Sequence, residues 1–283
     1  MAQKSYTIRS QTCTLNFDRP LIMGILNSTP DSFSDGGKFT DPEKALAHAI
    51  RMQKEGADII DIGGESTRPG AEPASVITEL SRVIPIIERL TKKLSIPLSI
   101  DTTKSVVAGE ALKHGAHIIN DTSALTDDPR MSKIVKAYDC PVILMHRKGT
   151  PRTMQTKPHY KNVIQEIETY FKKRISSLTK SGINEDSIII DPGIGFGKTV
   201  SHNVEIMQKL NMLGSLKRPV AIGVSRKSFI GTITGEKNPK KRLIGSLAAI
   251  GVAALKGAHI LRVHDVKETK EFLDIFSELL NNN

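Results

Sequence analysis

Residues 98–121 read LSIDTTKSVVAGEALKHGAHIIND. Two short apolar runs, Leu98–Ile100 and His117–Ile119, enclose a stretch that is long enough to form a helix. Asp101 follows the first run directly, and Asn120 follows the second. A strand, a helix and a second strand in this order indicate a βαβ unit with two parallel strands.

The same alternation continues along most of the chain, and no Ser/Gly-rich linker or block of charge interrupts it. Predicted helices include Pro42–Glu55, Val76–Leu94, Lys161–Lys180 and Leu243–Lys256, and the eight predicted strands are Leu21–Leu26, Asp58–Ile62, Leu98–Ile100, His117–Ile119, Val142–Met145, Ser187–Ile190, Val220–Val224 and His259–Val263. Strands that are apolar on both faces belong in a buried parallel sheet. Eight β-then-α units in 283 residues predict an α/β fold, a (β/α)8 TIM barrel, as one domain over residues 1–283 with an N-terminal extension over residues 1–18.

A polar or ionisable side chain lies at the C-terminal end of every predicted strand or directly after it. In chain order these residues are Asn27, Asp61, Asp101, Asn120 with Asp121, His146, Asp191, Ser225 to Lys227, and Arg262 with His264. A single Asp in such a place is often only the N-cap of the next helix. Polar groups after all eight strands favour a different explanation, because the strand ends of a barrel converge on one mouth where active sites are built.

The composition narrows the class of ligand. The formal net charge is +10, and residues 147–180 and 217–242 carry the excess of Lys and Arg. Aromatic residues make up only 4% of the chain and Trp is absent, so stacking of single-stranded bases is not favoured. We therefore expect a small anionic substrate rather than nucleic acid.

No apolar stretch predicts a membrane span or a signal peptide, so a cytoplasmic location is expected. The two cysteines, Cys13 and Cys140, are expected to be packing residues.

Two loops rich in Gly, Ser and Asp follow predicted strands. Residues 24–37 read GILNSTPDSFSDGG and residues 63–70 read GGESTRPG. Both are expected to be mobile lids at the barrel mouth, and the alternative is that they are ordinary exposed loops.

Three further motifs suggest recognition of a ligand. DPGIGFGKT, residues 191–199, fits neither a P-loop nor a dinucleotide fingerprint, but its glycines permit close approach of the backbone to a ligand beside the flat ring of Phe196. In SRKSF, residues 225–229, Lys227 and Ser228 are suited to a carboxylate or phosphate. Arg262 and His264 lie on the same side of an extended chain, and we expect Arg262 to contact only an anion. Arg147 is expected to face solvent.

Read together, eight motifs resemble the dihydropteroate synthase family in order and along nearly the whole chain. They are GILNSTPDSFSDGG, DIGGESTRPG, SIDTTK, IINDTS, LMHRKGTPRTMQ, DPGIGFGKT, SRKSFIG and RVHDV. The resemblance implies a barrel that condenses 6-hydroxymethyl-7,8-dihydropterin diphosphate with 4-aminobenzoate, giving 7,8-dihydropteroate and diphosphate in folate synthesis. It also implies Mg2+ as a cofactor, competition by sulfonamides, and a homodimer.

The resemblance assigns a role to particular residues of this chain. It implies that the pterin binds at Asp101, Asn120, Asp191 and Lys227, the diphosphate at Asn27, Arg262 and His264, Mg2+ at Asn27, and aminobenzoate at Thr67, Arg68, Pro69, Phe196, Lys227 and Ser228. Asn27, Arg262, His264 and Lys227 are the implied catalytic residues. From this chemistry we expect diphosphate to depart before the arylamine attacks.

Two alternatives remain at this stage. The first is a methyltransferase of the same fold that uses methyltetrahydrofolate. Such an enzyme needs no diphosphate site, so Arg262, His264 and the first loop argue against it. The second is a basic module that binds nucleic acid. This alternative would be excluded if the protein bound diphosphate but not a random oligonucleotide.

Overall fold

The computed structural model describes residues 6–28, 42–65, 72–150 and 153–280. The strands in this part of the chain are β1 Thr7–Arg9, β2 Thr14–Asn16, β3 Leu21–Asn27, β4 Ile59–Gly63, β5 Leu98–Asp101, β6 Ile118–Asp121, β7 Val142–Met145, β8 Ile188–Asp191, β9 Ala221–Gly223 and β10 Ile260–Val263. The α-helices are α1 Pro42–Lys54, α2 Val76–Leu90, α3 Ser105–Lys113, α4 Met131–Tyr138, α5 Val163–Lys180, α6 Val200–Gln208, α7 Ser228–Thr234, α8 Leu243–Leu255 and α9 Val266–Leu280.

Strands β3 to β10 form one parallel sheet that closes on itself. The order of neighbours is β8-β7-β6-β5-β4-β3-β10-β9, and a parallel bridge between Ile190 and Val220 joins the two ends. The predicted (β/α)8 barrel is therefore confirmed, and each of the eight predicted strands is present. Several strands, among them β6 and β8, begin one residue later than predicted. The strands β3, β5, β6 and β8 each extend to a polar residue that was expected to follow them, because the hydrogen-bonded ladder continues to that residue.

Helices surround the barrel and bury the outward faces of the strands in the larger of two apolar clusters. The predicted helix Val76–Leu94 ends at Leu90, where the chain turns toward β5. Its first turn is capped by Ser75, whose side chain accepts the N–H of Thr78.

The inner faces of the strands form a second apolar cluster in the lower half of the barrel, which includes Met23, Ile59, Ile118, Ile143, Ile189 and Ile260. The N-terminal extension closes this end of the barrel. Its strands β1 and β2 pair as an antiparallel hairpin, and the rings of Tyr6 and Phe17 lie edge-on to His259. We predicted an extension there without secondary structure. Each strand of the hairpin has only three residues, too few to give a recognisable alternation.

In the described residues, no helix combines the length and the apolar character that a membrane span requires.

Candidate active site

The upper half of the barrel interior is polar, and this follows from the register of the strands. Side chains alternate between the two faces of a strand, so Asp61 points inward like Ile59, and Asp101 points inward opposite Asn120 of the next strand. Asp101 and Asn120 line a cavity at the carboxyl ends of the strands, and the buried Asp61 accepts a hydrogen bond from the Asn120 amide. The lining residues of this cavity are Asp101, Asn120, Thr122, Met145, Asp191, Gly193, Ile194, Phe196, Gly223, Lys227 and Arg262. Six of the predicted site residues are thus brought together.

Arg262 connects two carboxylates in the middle of this cavity. Its Nε donates to Asp61 Oδ2 at 2.6 Å, and its Nη2 donates to Asp101 Oδ2 at 2.8 Å. The Asn120 amide donates to the same Asp61 oxygen at 3.1 Å. The expectation that Arg262 contacts only an anion is therefore wrong, because its guanidinium also orders the residues assigned to the pterin.

Asp61 was noted as a strand end, but the sequence reasoning gave it no role. It is completely buried, and its Oδ1 atom has no hydrogen-bond partner among the described residues. The sequence did contain a signal for a role of Asp61. It lies two residues after Ile59 on the same strand, and residues at this spacing point to the same face. Thr122 and Met145 also line the cavity and were not predicted to do so.

Burial shifts the pKa values of the ionisable groups at the cavity wall. It raises the pKa of Asp101, with Arg262 opposing that shift, and it raises the pKa of Asp191. Burial lowers the pKa of Lys227 to about 8, although Asp191 acts against this. The Lys227 ammonium lies 4.3 Å from the centre of the Phe196 ring, a cation–π contact.

Asp191 is held by the backbone of the loop that follows it. The N–H of Gly193 donates to Asp191 Oδ1 at 2.7 Å. Gly193 has φ of +69°, and a Cβ atom there would lie 2.0 Å from the carbonyl oxygen of His146. Only glycine fits this position, as expected for a loop that must approach its surroundings closely.

Asn27 and Asp101 border an open cradle above Gly63. A Cβ atom at Gly63 would lie 3.6 Å from Asn27 Oδ1 and 3.8 Å from Asp101 Oδ2. Oxygen atoms of this kind are the donors that a hard cation such as Mg2+ prefers. The described residues contain no group of three or more His, Cys, Asp or Glu that would hold a metal by themselves. The donors therefore fit an ion that takes most of its ligands from a bound anion and water.

The remaining predicted residues lie around this cavity or outside the described part. His264 follows β10, and its Nδ1 lies 3.0 Å from the hydroxyl of the buried Ser225. Ser228 is exposed at the start of α7. Arg147 was expected to face solvent, but its side chain is only 13% exposed because it pairs with Asp127.

The predictions for Thr67, Arg68 and Pro69 fall outside the described residues, as do most of the loop over residues 24–37 and the end of the loop over residues 63–70.

Comparison with known proteins decides between the two pterin-dependent alternatives. The family model of pterin binding enzymes matches residues 23–264. Dihydropteroate synthase of Escherichia coli K12 is 44% identical over 272 residues, which are 96% of each chain. That of Bacillus subtilis is 42% identical over 279 residues, 98% of this chain and 95% of the relative. The chain belongs to the dihydropteroate synthase family.

Solved dihydropteroate synthase structures agree with this assignment. A Xanthomonas albilineans dihydropteroate synthase with 4-aminobenzoic acid has a TM-score of 0.93 and 44% identity, covering 99% of this chain and 100% of that chain. The dihydropteroate synthase of the same species with 7,8-dihydropteroate has a TM-score of 0.89 and 42% identity, and the match covers 98% of this chain and 100% of that chain. A Yersinia pestis dihydropteroate synthase with a sulfonamide drug complex has a TM-score of 0.91 and 42% identity, covering 97% and 98%.

As a dihydropteroate synthase, this chain is a transferase of folate biosynthesis that condenses a dihydropterin diphosphate with 4-aminobenzoate. These matches support the synthase and give no support to the methyltransferase alternative.

Proposed function

We propose that this dihydropteroate synthase binds its pterin in the barrel mouth and expels diphosphate before 4-aminobenzoate attacks. One observation carries the proposal. Asp101, Asn120, Asp191, Lys227 and Arg262 line a single cavity at the carboxyl ends of the strands. This set combines carboxylates for the N–H edge of a pterin with cations for its oxygen and its leaving group.

The pterin is held by groups whose hydrogen-bond capacity is open in this cavity. Asp191 uses Oδ1 for the Gly193 N–H, which leaves Oδ2 to accept from the 2-amino group and N3–H of the ring. Lys227 donates to the ring oxygen and the N5 side. Asn120 and Asp101 are held by the Arg262–Asp61 pair and complete the polar wall.

The diphosphate binds at Arg262, His264 and Asn27. A guanidinium has five N–H donors, and Arg262 uses two for Asp61 and Asp101, so further donors remain for phosphate oxygens. Asn27 would hold Mg2+, which when bound would supply positive charge for the departing diphosphate. The electron-rich dihydropterin delocalises the methylene cation that remains, so the side chains act by electrostatics and positioning.

Aminobenzoate enters between Phe196 and the loop that carries Thr67, Arg68 and Pro69, with its carboxylate at Ser228. The arylamine is neutral at pH 7 and needs no strong base to attack. Closure of the two long loops excludes water from the cation, and sulfonamides compete for this same place.

The enzyme works in the cytoplasm as a homodimer that associates through α8. This helix exposes a line of apolar side chains, with Ile244 84%, Val252 41% and Leu255 60% exposed to solvent. An exposed apolar stripe of this length is typical of an interface. Nucleic acid is not proposed as a partner, since aromatic residues make up only 4% of the chain and Trp is absent.

The direct test is to mix purified protein with pterin diphosphate, 4-aminobenzoate and Mg2+ and to measure dihydropteroate by mass spectrometry. Product and equimolar diphosphate are expected, and omission of Mg2+ should slow their formation. In parallel, calorimetric titration with diphosphate should show that Asn27→Leu weakens binding more strongly when Mg2+ is present than when it is absent. A rate that is the same with and without Mg2+ would remove the metal from the proposal.

A further inference from the structure

Lys198 is buried between the loops that follow β7 and β8, outside the cavity lining. It is only 3% exposed. Its ammonium donates to the carbonyl of Phe196 at 3.0 Å and to the carbonyl of His146 at 3.3 Å, and it lies 3.1 Å from His146 Nδ1. Burial lowers the pKa of Lys198 to about 7, although Asp191 acts against this. In its protonated form Lys198 has three N–H donors, and these acceptors use all of them. In the described part of the chain, Lys198 forms no ion pair with a carboxylate. Lysines are rarely buried in this way, so a specific role is to be expected.

His146 is built to be the fixed acceptor of this pair. Burial lowers the pKa of His146 to about 3, so its ring is neutral and Nδ1 presents a lone pair to Lys198. The ring is held edge-on to Tyr170 at 4.9 Å. The backbone N–H of His146 donates to the carbonyl of Asp191 at 2.8 Å. Lys198 is therefore anchored to a part of the structure that is itself firmly packed.

The loop that Lys198 holds is rich in glycine and bears Phe196. Gly193, Gly195 and Gly197 all have φ between +67° and +82°, so the backbone itself restrains this loop weakly. The Phe196 ring contacts the Lys227 ammonium. Lys198 touches neither the cavity nor Lys227 in this arrangement, but it fixes the peptide that carries the Phe196 ring.

We propose that Lys198 is a positioning residue that holds the Phe196 ring as a wall of the aminobenzoate pocket. It acts through the Phe196 carbonyl and takes its own position from His146. This inference rests on the proposed role of Phe196 toward aminobenzoate. Two of the groups assigned to the pterin, Asp101 and Asn120, are held by Arg262 and Asp61 rather than by Lys198. Burial raises the pKa of a third group, Asp191, and the charge of Lys198 opposes that shift, so pterin binding is expected to change less than aminobenzoate binding.

The test compares Lys198→Met, which keeps the length of the side chain, with Lys209→Met as the control. Lys209 lies at the end of α6 and forms an exposed pair with Glu205. At saturating pterin diphosphate, Lys198→Met should raise the KM for aminobenzoate about tenfold or more, as loss of a hydrogen bond from a charged donor predicts. The Kd for pterin diphosphate should change by a clearly smaller factor, about threefold or less, and Lys209→Met should resemble the parent.

A double-mutant cycle separates positioning from a general structural role. In a Phe196→Ala background the ring is already gone, so Lys198→Met should no longer raise the KM for aminobenzoate. If Lys198→Met does not fold, His146→Leu replaces it in the same cycle, because it removes the Nδ1 acceptor and should shift the same KM in the same direction. An equal loss of pterin and aminobenzoate binding, or an undiminished effect in the Phe196→Ala background, would overturn the inference. Absence of any product with the parent enzyme would instead refute the proposed function.

Discussion

The guanidinium of Arg262 donates to the completely buried carboxylate of Asp61 at 2.6 Å. This bond joins the last strand of the barrel to the second, and β3 lies between these two strands in the sheet. Asp61 in turn accepts from the Asn120 amide. Arg262, which is assigned to the diphosphate, therefore also supports the pocket assigned to the pterin.

Arg262→Ala should consequently weaken binding of diphosphate and of a plain pterin without phosphates. It should also lower the free energy of unfolding by about 3–5 kcal/mol, because Asp61 and Asp101 would be left buried without their cation. Calorimetric titration with each ligand and urea denaturation give the three quantities. The matched control is Arg130→Ala, whose pair with Asp128 is exposed. Normal binding of plain pterin by a folded Arg262→Ala protein would show that the Asp61 link does not support the pterin pocket.

Asp191→Asn tests the two-pronged contact with the pterin. The amide oxygen can still accept from Gly193, so the NH2 group would face the pterin N–H groups. Loss of a charged hydrogen bond together with this mismatch should weaken pterin diphosphate binding by about 2–4 kcal/mol. The exposed Asp186→Asn serves as the control, since its carboxylate pairs with Arg218 at the surface. Unchanged pterin affinity in Asp191→Asn would remove Asp191 from the pterin site.

Lys227 should impose a pH dependence on substrate binding. Burial lowers its pKa to about 8, so the ammonium that donates to the ligands is lost as the pH rises through that value. Affinity for pterin diphosphate should therefore fall between about pH 8 and pH 10. Lys227→Arg keeps its positive charge throughout this range and should reduce the fall in affinity. An identical decline in Lys227→Arg would assign the titration to another group.

The same pKa has the opposite effect on the stability of the free enzyme. An unfolded lysine keeps its proton to about pH 10.4, so above about pH 8 the unfolded state binds more protons than the folded state. The contribution of Lys227 to the free energy of unfolding should therefore increase with pH in this window. Urea denaturation of the parent and of Lys227→Met at several pH values measures this contribution as a difference.

Val252→Asp tests the proposed dimer. A charge in the apolar stripe of α8 would be desolvated in an interface and should convert dimers to monomers. The control is Val106→Asp on α3, because Val106 has the same exposure of 41%. Sedimentation velocity at micromolar concentration should show a smaller species for Val252→Asp alone. A parent protein that sediments as a monomer would refute the dimer itself.

The barrel could be predicted because each strand appears in the sequence as a short apolar run with a polar residue at its end, and these runs alternate with stretches long enough for helices. The pairing of Arg262 with Asp61 could not, since these residues are far apart in sequence and meet only when the sheet closes. Arg147 was misplaced for a related reason, because its partner Asp127 lies on a different loop. Lys198 appeared only as one letter of a glycine-rich motif, and its burial depends on two loops that pack against each other.

The hairpin that closes the lower end of the barrel also constrains when the protein can fold. It leaves the ribosome before the barrel strands, yet Tyr6 and Phe17 rest on His259, and β3, the first strand of the barrel, pairs with β10, the last. Most of the nascent chain must be made before these contacts exist, and such long-range contacts slow folding. Until then the apolar interior stays open at one seam. Incomplete chains that stop before β10 are thus the species most prone to aggregate during synthesis.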